Sequence, residues 1–177
     1  MTAQFPDHIS FLGEDFVLNG LTNGSLFSPE DRGMETRSEC TALQKGFSAS
    51  YAIIDEVLYV TRLYINSKDG LYPNIDGVTP VDGVYEGIKM KVPYTGKIRL
   101  VKDFDRKYYV HHGYQAAAAH HTVLDLSLND GLVTEIVDRA EDARKQRELF
   151  EQGHGKSNRD AFGFQRIWRV LAMDFLP

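Results

Sequence analysis

Residues 47–66, FSASYAIIDEVLYVTRLYIN, decide how this chain is built. Phe47, Ala49, Tyr51 and Ile53 alternate with Ser48, Ser50 and Ala52. That period of two sets one side of a strand against a core and the other toward water. After Asp55-Glu56 the run resumes through Ile65 with Val, Leu, Tyr, Thr and Ile, types that fit a pleated surface. The two runs predict a hairpin with a tight turn at Asp55-Glu56. A turn that short joins only antiparallel strands.

Upstream, residues 8–12 and 15–18 flank Gly13-Glu14 and predict an opening hairpin. Residues 19–39 are rich in Asn, Gly, Ser and Pro and read as a loop. Downstream, residues 67–83 hold Pro73, Gly77, Pro80 and Gly83 and read as a second loop. Strands are expected at 84–92, ended by Pro93, and at 96–102. Residues 107–112 and 120–128 are expected to pair with each other. In the latter, Thr122, Leu124, Leu126 and Leu128 form one face, and His121, Val123, Asp125 and Ser127 the other. Asn129-Asp130-Gly131 is a strong turn, followed by a return strand at 132–137.

Asp138 is a candidate cap for a helix from Arg139 onward, and Gly153 and Gly155 break it. Arg139, Arg144, Lys145 and Arg147 interleave with Glu141, Asp142, Glu148 and Glu151, the pattern of a solvated mixed-charge helix. Phe164, Ile167, Trp168 and Leu171 follow helical spacing and predict a packed helix over 162–175. The fold class is therefore α+β. One domain over residues 1–177 has a β-rich part at about 8–137 and a helical tail at about 139–175. The sheet is expected to be mainly antiparallel, curled or two-layered, with one or two C-terminal helices.

The 177 residues are 42% hydrophobic and 25% charged, an ordinary globular balance. A net charge of −5 argues against a protein that works by neutralising phosphates, so no nucleic acid is expected. It favours a cationic partner. Cys40 is the single cysteine, so no intrachain disulfide can form and a reducing compartment fits. The N-terminus lacks a basic region followed by an apolar stretch, and no long apolar run occurs. A cytoplasmic location away from membranes is expected.

The histidines are the first candidates for chemistry. If residues 107–112 pair with 120–128, His112 faces His120 and His111 faces His121. Asp125 lies on the His121 side, so His111, His121 and Asp125 are candidate ligands for a transition metal such as zinc. Against this, no HExxH or Cys/His spacing is present, and histidines are common on half-exposed strands. Cys40 has no nucleophile signature around it and reads as an inert thiol. Asp69, Asp76 and Asp82 lack the alternate spacing of a calcium loop. No phosphate-binding or dinucleotide fingerprint occurs, so no cofactor is expected otherwise.

Three stretches carry a resemblance: TALQKGFSASYAIIDEVLYVTRLYIN, VPYTGKIRLVKDF followed by YYVHHGYQ, and TVLDLSLNDG. Together they resemble small β-rich bacterial proteins of unknown function, some of which are encoded beside toxins and act as immunity proteins. The resemblance implies a non-enzymatic protein-binding role, most specifically an immunity-type inhibitor whose acidic surface engages a basic toxin domain. Tyr72, Asp76, Asp82, Tyr114 and Gln115, in exposed aromatic loops, are the expected partner contacts. The alternatives are a metal protein or enzyme built on His111, His112, His120 and His121, and a structural or assembly subunit.

Overall fold

The structure, a computed structural model, describes residues 3–111 and 114–154; His112 and the helix expected over 162–175 lie outside the described residues. Eight strands come in the order β1 (His8–Phe11), β2 (Glu14–Leu21), β3 (Phe47–Ile54), β4 (Val57–Ile65), β5 (Val84–Lys91), β6 (Gly96–Phe104), β7 (His120–Asn129) and β8 (Leu132–Asp138). One helix, α1 (Ala140–His154), follows. Among the described residues no helix is long and apolar enough to cross a membrane.

Three hairpins turn on two residues each: Leu12-Gly13, Asp55-Glu56 and Asp130-Gly131. All six turn residues have positive φ, from 47° at Asp130 to 79° at Gly131. Such turns twist in the sense that the flanking strands require. The hairpins read from the sequence at 47–66 and 129–131 are therefore present, and the first one turns a residue earlier than expected.

The sheet closes on itself. Its order is β3-β1-β2-β6-β7-β8-β4, and β4 pairs back to β3, so seven strands form a barrel with β5 attached to β4 outside the ring. The expected curled or two-layered antiparallel sheet is thus a closed barrel. One ladder in it is parallel, with Ile9 beside Tyr51 and Ser10 beside Ala52. Closure pairs most of the edges that a curled sheet would leave open. The ring is completed where β8 meets β4, at Val57 opposite Leu132. There the Leu58 N–H donates to Gly131 O at 2.9 Å and the Val133 N–H donates to Glu56 O at 2.8 Å.

The inward positions carry the core: Ile9 and Phe11, Ala49 and Tyr51, Ile98 and Leu100, Leu126 and Leu128. On β4 the buried set is Leu58, Val60, Leu63 and Ile65, which changes parity after Val60. A bulge at that point inserts one residue and restores the inward aim of the second half.

β7 is paired with β6 along its length and with β8 from Leu124 to Asn129. β6 runs on to Phe104, which stands opposite His120, and β8 takes the other side. Among the described residues, the expected pairing of 107–112 with β7 is therefore absent. Residues 106–108 form a 3-10 turn instead, and 117–119 form another. α1 lies outside the barrel over β6 and β7, with Ala143 buried among Val101, Val123 and Ala117, Ala118 and Ala119. The small alanine side chains let the helix approach closely. The Asp138 carboxylate accepts the Ala140 N–H at 2.8 Å, as a capping residue should.

The helix is less solvated than its charges suggest. Arg147 is buried and donates to Ala118 O at 2.8 Å and His120 O at 2.6 Å. Arg139 reaches Asp125 at 3.2 Å and Asp142 at 2.9 Å. Arg144, by contrast, is exposed and paired with Glu141 and Glu148 along the helix.

Candidate functional site

At one end of the barrel β2 finishes while β1 and β3 begin. A cavity of about 290 Å³ opens there. Leu18 and Leu21 of β2 and Phe47 of β3 form part of its wall, and Leu26 and Phe27 come from the loop after β2. Tyr114, from the connection between β6 and β7, completes the rim. Barrel mouths with apolar walls and a few converging polar groups are common ligand sites.

The polar groups gather around Asp7. Lys45 Nζ donates to both carboxylate oxygens at 2.8 and 2.7 Å, and the Ala49 N–H donates to Oδ1 at 3.0 Å. Lys45 reaches this position because the chain turns sharply before β3. Gly46 has φ 71°, and a Cβ there would lie 2.4 Å from Arg37 O. Only glycine suits such a place. Lys45 Nζ also sits 4.5 Å from the centroid of the Phe47 ring, a cation–π contact at the cavity wall.

Two phenols line the cavity with this carboxylate. Burial, and then the Asp7 charge, hold the Tyr51 hydroxyl well above its ordinary pKa. The same two causes raise Tyr114. Both stay protonated at neutral pH and can donate. Asp7 is already an acceptor for three N–H bonds, so it has little capacity left for a ligand donor. The cavity thus holds an ion pair, two phenol donors, and the side chains of Asn19 and Ser25. Its carboxylate is engaged as an ion-pair partner of Lys45 instead of standing as a free base.

No family model, curated protein or solved structure matches the chain.

The histidine residues are dispersed by the actual strand pairing. His111 packs edge-on against Tyr109, with ring centroids 4.9 Å apart. His120 is buried, 5.1 Å from the Phe104 ring centroid, and its Nδ1–H donates to Ala116 O at 3.1 Å. Burial is the main cause that lowers its pKa. His121 is exposed, 3.9 Å from Asp105 and 3.4 Å from the Arg147 guanidinium. Asp125 lies four residues along the same strand from His121, about 13 Å at 3.3 Å per residue, too far for both to share one ion. Its oxygens are taken by Arg99, at 2.6 and 2.7 Å, and by Arg139. Among the described residues no group of three or more His, Cys, Asp or Glu could hold a metal ion. Cys40 is exposed.

Of the five expected partner contacts, Tyr114 lines the cavity and the others do not. The Gln115 amide clamps Val110, accepting from its N–H at 2.9 Å and donating to its O at 2.8 Å. The Asp76 carboxylate accepts the Lys89 N–H at 3.3 Å. Asp82 occupies a positive-φ turn, and Tyr72 lies against Gly83. Asp7, Lys45 and Phe27 were not legible as site residues, because none belongs to a motif and each comes from a different segment.

Proposed function

We propose that the protein binds a small amphipathic molecule in the barrel mouth, as a carrier or receptor and not as an enzyme. The observation that carries this is the convergence of Lys45, Tyr51 and Tyr114 as donors in a cavity walled by Leu18, Leu21, Leu26, Phe27 and Phe47. The ligand's polar end would present acceptor oxygens, as a carboxylate or a carbonyl does. Its body would lie against Leu21, Leu26 and Phe27. At about 30 Å³ per water-sized group, the cavity accommodates about ten non-hydrogen atoms. A ligand of that size can reach micromolar affinity.

The test is calorimetric titration with octanoate, octanamide and octylamine. Octanoate and octanamide should bind, and the amine, which brings only donors, should not. Ser25 is exposed on the rim, so Ser25→Trp fills the cavity without touching the core and should abolish binding. Lys45→Met should reduce the preference for the two acceptor-headed ligands. No binding up to about 1 mM, the weak limit of specific recognition, would overturn the reading. So would binding that Ser25→Trp leaves unchanged.

The protein-binding role expected from the acidic composition stands as a second proposal. The surface that favours it lies elsewhere on the barrel.

A further inference from the structure

We infer that the groove where β8 diverges from β4 is a docking surface for an extended segment of another protein that alternates apolar and basic side chains. This goes beyond the ligand proposed for the barrel mouth and does not depend on it.

The groove measures about 450 Å³ and is bounded by the Leu12-Gly13 turn, the Asp55-Glu56 turn and residues 133–136 of β8. β8 touches β4 only at its first residues and then runs free. Ile136 stands opposite Leu126 in the β7–β8 ladder, so it points to the core side of the sheet. Leu126 is 0% exposed and Ile136 is 50% exposed. A position patterned for burial is thus left uncovered. Beyond Val133, the outer edge of β8 has no strand partner among the described residues. An unpaired edge is a template for an added strand.

Leu12 stands beside this edge. It is 79% exposed and has φ 53°, a conformation that bulky residues avoid and that asparagine would serve better. A large apolar side chain projects here into solvent from a turn that does not favour it.

The charge decides the occupant. Asp55, Glu56 and Glu135 lie in the groove wall, and no lysine or arginine does. A second copy of this chain would bring the same carboxylates against them. Lipid headgroups and nucleic acids that are anionic would be repelled. A segment with apolar side chains on one face, meeting Ile136 and Leu12, and lysine or arginine on the other, meeting the acids, satisfies both features. The chain's net charge of −5 would steer it in.

The probe is a seven-residue peptide of alternating lysine and valine, with a glutamate–valine peptide as control, titrated into the full chain and followed by amide chemical shifts. The lysine peptide should bind, shift the amides of residues 134–137, and weaken as salt rises. Leu12→Asn should weaken it at least tenfold while leaving the fold as stable or more so, since asparagine suits the turn. Glu56→Asn should act similarly through charge. Equal binding of both peptides, shifts confined to other strands, or indifference to both variants would overturn the inference. Binding that emerges only when residues 155–177 are deleted would also overturn it, because the groove would then belong to the chain's own C-terminal segment.

Discussion

Asp125→Ala should cost about 3–5 kcal/mol of folding free energy, the usual penalty for removing one member of a buried ion pair. Asp125 is 5% exposed and Arg99 is 2% exposed, so water screens neither. Arg99 donates to it through two bonds, at 2.6 and 2.7 Å, and Arg139 adds a third at 3.2 Å. Alanine would take the Asp125 carboxylate away from the buried Arg99 guanidinium. Arg139 would suffer less, because it keeps Asp142 at 2.9 Å. In a protein of 177 residues each kcal/mol moves Tm by about 2–4 °C, so the expected fall is about 6–20 °C. Urea denaturation gives the free energy directly and should show an unchanged m value. The informative companion is Arg99→Met with Asp125→Leu, which removes both charges and fills the space with apolar atoms. It should recover part of the loss, since it removes a buried charge together with the carboxylate that balances it. The reasoning fails if Asp125→Ala loses less than about 1 kcal/mol. It fails equally if the double variant is no more stable than the single one.

Gly131→Ala should destabilise by more than about 2 kcal/mol, because its Cβ would sit 2.2 Å from Val92 O at the barrel's closing ladder. Gly13→Ala meets open space and should cost only about 1–2 kcal/mol for its positive φ; denaturation curves separate the two. Burial holds His120 below its ordinary pKa of 6.5, so the unfolded chain takes up that proton first as pH falls. Its contribution is present above that pH and lost below it, and urea midpoints at several pH values should fall less in His120→Gln than in the wild type. Burial and the bond to Glu151 push Tyr108 up to about 12, so its stabilisation should be lost as pH rises from about 10 toward 12. Tyr108→Phe should flatten that alkaline loss, read by circular dichroism, while weakening the protein near neutrality by removing the 2.6 Å bond to Glu151.

The hairpins were legible because alternation and turn chemistry are local. Phe47, Ala49 and Tyr51 mark an inward face, and Asp55-Glu56 and Asp130-Gly131 mark reversals. Which strands become neighbours was not legible, since alternation names a face and not a partner. The parallel ladder of β1 with β3 leaves no local trace. Residues 107–112 have strand-like composition, yet β6 extends far enough to occupy the edge of β7 they would have needed. The burial of Arg139 and Arg147 was hidden for a similar reason: their charges read as solvated until Asp125 and the carbonyls of Ala118 and His120 were placed beside them. Of the candidate site, Tyr114 was visible as an exposed aromatic. Asp7 and Lys45 become a pair only through a contact across two segments of the chain.

The three ladders that join distant parts of the ring also set an order of assembly. β1 with β2, β3 with β4 and β5, and β6 with β7 and β8 can each form from chain that is close in sequence. They become a barrel only through Ile9 with Tyr51, Val17 with Val101, and Val57 with Leu132. A nascent chain on the ribosome that stops short of β6 therefore displays the bare edge of β2, and one that stops short of β8 cannot close at all. Productive folding waits until nearly the whole β region has emerged, and such non-local pairing is slow. Shortened or stalled products would present open strand edges to one another, which makes them the species most prone to aggregate.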